Sequence, residues 1–486
     1  MPGAALGVGG GGTPSASAGA SKAADSFLHC DVYRRQTARP VECAQSRRYA
    51  RPRSYGLGSV SGILVVANVQ VPLLDSATPP DCRSCSAPLT NTFVDLGASP
   101  LANSYLEPSQ LAEGEMFYPL HVRVCAQCLL VQLPEFASPT EIFGDYAYFS
   151  SYSDSWVEHA RRYVELAAER FRLDESSQVI EVASNDGYLL QFFLARGVQT
   201  LGVEPAANVA AAAQKRGIPT IVEFFGERLG ARLVDEGRSA DLVVANNVFA
   251  HVPDVHDFVE GLRRVLKPGG VVTMEFPHLL RLIEGRQFDT IYHEHYSYFS
   301  LLSAERILAT HGLVVFDVEE LSTHGGSLRI YVGHANGPHE SGPSVGKLRA
   351  TEREAGLDRL EAHLRFDGAA RAAKRELVGF LVDAKRAGKS IVAYGAAAKG
   401  VTLLNFCGIR GDFIDYVVDR SPHKQGRFLP GVRLPIHAPE RVAETRPDVL
   451  LILPWNLADE VAEQMAFVRS WGCELVAPIP EVAVLG

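Results

Sequence analysis

The sequence predicts an α/β protein in which a small cysteine-bearing module precedes two open, mostly parallel sheets. Three observations carry this: the pairs Cys82/Cys85 and Cys125/Cys128, an alternation of apolar strands and helices from Gln178 to about Val332, and a second alternation after a charged helical stretch, Leu348 to Ala387. The length of 486 residues agrees, since domains of roughly 150 residues each would make about three.

Composition narrows the class. With 56 acidic against 47 basic residues the formal charge is −9, so the chain lacks the electrostatic footprint of a nucleic-acid binder and small ligands are the expected partners. No apolar run reaches the roughly 18 residues that span a bilayer; the segment Gly62 to Leu74 is shorter and holds Asn68, Gln70 and Pro72. Eight cysteines are too few for a disulfide scaffold. Four of them in CxxC pairs point to metal binding in a reducing cytosol, hence to a cytoplasmic protein. Cys30, Cys43, Cys407 and Cys473 lack such spacing and read as structural or incidental thiols.

Residues 1–75 begin with a Gly/Ala/Ser tract that cannot bury enough apolar surface to order itself, followed by an arginine-rich stretch. They read as a disordered tail or an extension; a transit peptide would need an amphipathic pattern that is not there. Residues 80–148 contain short β-like runs (NTFVDLG, YPLHVRVC, LLVQLP) between the knuckles CRSC and CAQC. Cys82, Cys85, Cys125 and Cys128 supply the four thiolates of a closed tetrahedral site, which points to structural Zn2+ rather than a catalytic metal.

Residues 150–340 hold the first strand and helix alternation. VIEVASNDGYLLQFFLARG reads as strand, tight turn and helix, and TLGVEP as a second strand closing on Glu204, whose carboxylate can accept from both hydroxyls of a ribose. The turn, with Asn185, Asp186 and Gly187, lacks GxGxxG and so offers no pyrophosphate cradle. Glu181, at the end of the first strand, suits an ammonium group. These features favour S-adenosylmethionine over a dinucleotide. A later strand ends at Asn246 in ANNVFAHVPD, and the following helix is expected to end at LKPGG. That run strongly resembles class I methyltransferases.

FDTIYHEHYSYFS then gathers Tyr292, His293, Glu294, His295 and further titratable groups into one segment. It is not HExxH, so no catalytic metal is implied. Methylation of a neutral carbon would give the cluster a chemical role, because a base must remove a proton beside a carbonyl and donors must hold the enolate oxygen. Imidazole suits the base, and a neighbouring carboxylate such as Glu294 could orient it.

CRSC, CAQC, FGDYAYFSSYS, VIEVASNDGYL, LGVEP, ANNVFAHV, YHEHYSYFS, HGGSLRIYV, YGAAAKG and LPWN together resemble the sugar C-methyltransferases of deoxysugar biosynthesis, from about Pro80 to the C-terminus. The resemblance implies a zinc-binding domain, a class I (Rossmann-like) methyltransferase domain and a second Rossmann-like domain over 345–486 that binds the nucleotide sugar. The acceptor it implies is carbon 3 of a nucleotide-linked 4-keto-6-deoxy or 2,6-dideoxy hexose. It makes His295 the base with Glu294 beside it, and adds Tyr292 and Tyr146. His324, in THGGSLR, could line the sugar pocket. In the C-terminal domain Lys399 sits at a strand-to-helix turn suited to phosphate, and Asp419, Trp455 and Asn456 sit at strand ends where such folds open to ligand. Other acceptors, an NAD-dependent oxidoreductase and a binding protein without catalysis remain alternatives, and the oligomeric state is unassigned.

Residues 1–60 hold eight basic and three acidic residues, so the remainder carries −14. An anionic ligand would therefore have to be met by local donors.

Overall fold

The computed structural model describes residues 79–143 and 149–486; the N-terminal tail and Tyr146 lie outside the described residues. From Leu74 to Gly486 the chain forms one compact unit. It holds three sheets. No helix among the described residues is long and apolar enough to cross a membrane.

The cysteine module contributes β1 (Asn91–Ser99), β2 (Tyr118–Val124) and the two-residue β3 (Val131–Gln132). The fourth strand of its antiparallel sheet comes from the titratable segment far along the chain: β9 (Ser297–Tyr298) pairs with β3, Val131 opposite Tyr298 and Gln132 opposite Ser297.

The second sheet uses β4 (Gln178–Val182), β5 (Gln199–Val203), β6 (Thr220–Ile221), β7 (Ala240–Asn246), β8 (Leu266–Pro277), β10 (Leu313–Leu321) and β11 (Ser327–His334). Their order is β10-β11-β8-β7-β4-β5-β6, parallel from β6 to β8 and antiparallel at β11 and β10. β4, β5 and β7 are near-continuous apolar runs because helices cover both faces of a parallel sheet. The helix Asp154–Arg170 starts at Ser153, whose side chain accepts from the Trp156 N–H, and buries Ala160, Tyr163, Val164 and Ala167 along one stripe. The helix Val255–Val265 is capped by Asp254, which accepts from the main chain of His256 and Asp257. This helix ends at LKPGG as expected, with Leu266 as its C-cap, and LKPGG itself already opens β8.

The third sheet runs β14-β13-β12-β15-β16-β17, built from β12 (Ile391–Tyr394), β13 (Val417–Val418), β14 (Ile436–His437), β15 (Val449–Ile452), β16 (Glu474–Ala477) and β17 (Ala483–Leu485). Only β17 is antiparallel. Two apolar clusters join the modules: in one, Phe93 of β1 stacks on Phe366 at 4.6 Å and Phe288 and Ile291 of the titratable segment pack with Leu404, and in the other Leu89 and Leu130 of the cysteine module pack with Ile180 and Val243 of the second sheet.

Two helices beside β7 approach closely because each carries a glycine at the crossing. A Cβ on Gly261 would come within 2.5 Å of the Gly226 carbonyl oxygen, and one on Gly230 within 2.6 Å of the Gly261 carbonyl oxygen. Gly261→Ala must push the helices apart, and the expected loss is about 1–3 kcal/mol, read as a lower midpoint in thermal or urea unfolding. An unchanged midpoint would mean the crossing adapts freely.

Candidate active site

A cavity of about 640 Å3 lies where the three sheets approach one another, and it draws its walls from all three parts of the described chain.

At one end the chain leaving β4 makes a tight turn. Ala183, Asn185 and Gly187 all have positive φ (56°, 50° and 79°), which is costly except for glycine and tolerable for asparagine. At Gly187 a Cβ would also collide with Ile218 Cδ1 at 2.2 Å. The turn is held by reciprocal bonds: the Ser150 N–H donates to Asn185 Oδ1 at 2.8 Å, and the Asn185 and Ala206 N–H groups donate to the two oxygens of Glu204, both at 2.9 Å. Asn185, Glu204 and Asn246 line the cavity.

Glu181, Asp186 and Gly187 do not line it. Glu181 is buried beneath the turn; desolvation first, then the nearby Glu204 and Asp186, push its carboxyl well above the usual range. Asp186 faces away, accepting from the Ser151 hydroxyl and lying 3.5 Å from Arg216. Glu181 Oε2, Asp186 Oδ1 and Asn246 Oδ1 are buried without a hydrogen-bond partner. Of these only Asn246 stands on the cavity wall; a buried acceptor there is expensive, and with the Glu204 carboxylate beside the turn it suits a ligand that brings hydroxyl or amino donors. The turn therefore fits S-adenosylmethionine.

His295 stands on the cavity wall, buried. Its Nδ1 lies 2.8 Å from the Thr290 carbonyl oxygen. A carbonyl can only accept, so Nδ1 carries the proton and Nε2 keeps its lone pair. Burial first, then neighbouring His251, holds the imidazole well below its ordinary value. Tyr292 packs on its ring at 4.1 Å and His251 at 4.7 Å. The orienting role expected of Glu294 falls to Thr290. Glu294 also lines the cavity, and its Oε1 accepts from Asn103 Nδ2 at 2.6 Å. His251 escaped the sequence reading although it follows the C-terminal end of β7, where such sheets open to ligand. Burial pushes it down to about 4.

Opposite, Lys399 sits in the first turn of the helix Ala398–Cys407. Its ammonium donates to Asn456 Oδ1 at 3.0 Å and to the His324 carbonyl at 3.3 Å, over the Trp455 ring at 4.7 Å. Burial lowers it to about 8, with Asp289 pulling the other way. Lys399, His324 and Asn456 line the cavity; Asp419 and Trp455 do not, contrary to expectation. Asp419 accepts from the Ala396 and Ser421 N–H groups, both at 2.8 Å, and so braces the YGAAAKG turn from behind. The Trp455 indole donates to Asp289 Oδ2 at 2.7 Å and forms a strut to the titratable segment. His324 has φ 55° and packs on Trp156 at 5.1 Å; burial and Lys399 push it down to about 4. A second lysine was missed: Lys424 lines the cavity and donates to the Ala396 carbonyl at 2.8 Å.

Cys82, Cys85, Cys125 and Cys128 bring their sulfurs within 4.8 Å of one another. Four soft ligands at this spacing, with no protein group left to open a fifth position, fit a structural Zn2+. Gln132 Nε2 donates to Cys82 Sγ at 3.1 Å, so the strand that pairs with β9 is tied to a metal ligand.

Three family models match the chain in order: a putative zinc binding domain over residues 82–143, a methyltransferase domain over 156–318 and a C-methyltransferase C-terminal domain over 322–480. The C-methyltransferase NovU of Streptomyces niveus is 37% identical over 409 residues, 83% of this chain and 96% of that protein. A ubiquinone biosynthesis O-methyltransferase of Rhodopseudomonas palustris is 25% identical over 100 residues, 21% of this chain and 40% of that protein. A solved S-adenosylmethionine-dependent methyltransferase from Clostridium acetobutylicum covers 37% of this chain and 92% of its own, with 11% identity and a TM-score of 0.30.

Removing the metal should free β3 and, through it, β9. With a chelator, amide hydrogen exchange is expected to accelerate at Leu133 and Tyr296, whose N–H groups donate to Tyr296 and Ala250, while β4 and β7 stay protected. Unchanged protection at those two amides would separate the metal from the site.

Proposed function

The chain belongs to the S-adenosylmethionine-dependent C-methyltransferases, with a structural zinc in its cysteine module, and on that premise we propose that its acceptor is carbon 3 of a nucleotide-linked 4-keto-6-deoxy or 2,6-dideoxy hexose. The observation that carries this reading is a neutral imidazole, His295, fixed in one tautomer on the wall of a cavity that has the Glu204 turn at one end and two lysines at the other.

S-adenosylmethionine supplies a methyl group activated on a sulfonium. The acceptor carbon has to become nucleophilic, which is what the polar cluster does. A 4-keto group acidifies the proton on carbon 3, and His295 Nε2 takes it. An imidazole held far below its ordinary pKa is always unprotonated at neutral pH but is a weaker base, so the step needs the new imidazolium to be stabilised as it forms. The enolate oxygen provides an opposite charge in the same low-dielectric space. Tyr292, on the cavity wall against His295, would donate to that oxygen, a role that Tyr146 would share. Lys399, and Lys424 with it, meets the diphosphate locally, as an acidic enzyme body demands. Soluble cytoplasmic action fits such chemistry.

The test is mass spectrometry of products formed from S-adenosylmethionine and a panel of nucleotide-linked sugars. A gain of one methyl on a 4-keto-6-deoxy hexose, with loss of the carbon 3 proton, is expected; methylation on oxygen or nitrogen, or of none of the ketosugars, would overturn the reading. His295→Ala should lower turnover about 100- to 10,000-fold, with S-adenosylmethionine affinity near wild type by calorimetry.

The pH profile has a definite sign. Because His295 lies well below the ordinary imidazole value, turnover should hold as the pH falls through that value and drop only at more acid pH. Lys399, at about 8, is charged below that value and loses its proton above it, so the acceptor KM should rise on the alkaline side. Lys399→Met should remove that alkaline rise; its persistence would exclude Lys399 as the diphosphate contact.

A further inference from the structure

We infer that Arg83, the residue after the first cysteine of the first knuckle, is a positioning residue for the reaction, holding His251 and His295 at their mutual spacing. This rests on the reading of His295 as the base.

The guanidinium leaves the knuckle and ends where three segments meet. Nη1 donates to the Pro253 carbonyl at 3.0 Å, and Pro253 lies two residues beyond His251. Nη2 donates to the Leu133 carbonyl, at the end of β3. The guanidinium carbon lies 5.5 Å from the centre of the Tyr296 ring, and Tyr296 follows His295. The same segments are joined through main chain: the Leu133 N–H donates to the Tyr296 carbonyl at 2.9 Å, and the Tyr296 N–H to the Ala250 carbonyl at 2.8 Å. The Arg83 N–H itself donates to Gln132 Oε1 at 2.9 Å, and Gln132 reaches Cys82 Sγ. One planar fork therefore ties the metal knuckle to the backbone on both sides of the facing imidazoles, whose ring centres are 4.7 Å apart.

Packing alone does not account for an arginine here. Its Nε is buried without a partner, a cost that a methionine of similar length would avoid if the side chain merely filled space. What methionine cannot do is hold two carbonyls in a fixed plane, and lysine, a point charge on a flexible stem, holds them loosely.

The test compares Arg83→Met and Arg83→Lys with wild type, all as the full zinc-loaded chain. Because base placement is sensitive to displacements near 1 Å, kcat should fall about 100-fold in the methionine variant and by an intermediate factor in the lysine variant. KM for S-adenosylmethionine and zinc content should stay at wild-type values. Ring 15N NMR signals of His251 and His295, recorded without acceptor, should shift in both variants. Wild-type kcat and ring signals in either variant that keeps its zinc would overturn the inference, as would a loss of S-adenosylmethionine affinity in step with kcat. If the methionine variant does not fold, the lysine variant carries the same comparison. Should no ketosugar be methylated, the acceptor reading fails while the ring signals still decide the role of Arg83.

Discussion

The site depends on a strand pairing two residues long. β9 begins two residues after His295, and its partner β3 is equally short. A ladder of this size has no stability of its own, so its register must be set by what flanks it. On the β3 side that is the knuckle, through Gln132 on Cys82 and Arg83 on Leu133. Four thiolates around one ion define positions to a fraction of an ångström, and the pairing carries that definition to the segment of His295. A metal too enclosed to take part in chemistry is thereby placed in the chain of contacts that locates the chemistry.

Electrostatics follow from the same enclosure. Lys424 is raised against its burial by Tyr105 and Asp419, but burial leads the shifts of its neighbours around the cavity: His295, His251 and His324 are lowered, Lys399 is lowered, and Asp289 is raised to about 6. Each of these neighbours is pushed toward neutrality, which leaves few fixed charges in the space itself. In such a space, charge that appears in pairs is favoured over a lone charge of either sign. The Asp289 and Lys399 pair shows the same logic in the resting protein, the carboxylate partly restoring what burial takes from the ammonium.

Local patterns were legible in the sequence wherever a residue's neighbours in the chain determine its surroundings. The two knuckles, the apolar strands of the parallel sheet, Glu204 closing β5 and the titratable segment were all readable in this way. What escaped was set by distant contacts. β9 is too short to show a period, and its pairing spans more than 160 residues of chain. The orientation of His295 comes from a backbone carbonyl, which every residue possesses, so Glu294 looked like the natural partner while its carboxylate was bound to Asn103. Asp419 and Trp455 were placed correctly at strand ends, but whether a side chain there faces ligand or braces the neighbouring turn depends on what packs behind it. Lys424 lies in a loop without any motif, and only the folded chain brings it to the cavity.

The C-terminal domain fastens the reactive segment from the other side. The Thr402 hydroxyl, on the helix that also carries Lys399, donates to the Ile291 carbonyl at 3.0 Å. Trp455 grips Asp289. Between these two anchor points lies Thr290, the residue whose carbonyl fixes the His295 tautomer. The turn that orients His295 is therefore held by the C-terminal domain, while the strand that follows it is held by the cysteine module. Neither hold is redundant: Thr290 sets which nitrogen keeps its lone pair, and β9 sets where the ring stands. An imidazole held by two such contacts, from opposite ends of the sequence, requires the whole compact unit, and the packing reflects this: the cysteine module shares one apolar cluster with the C-terminal domain and another with the second sheet.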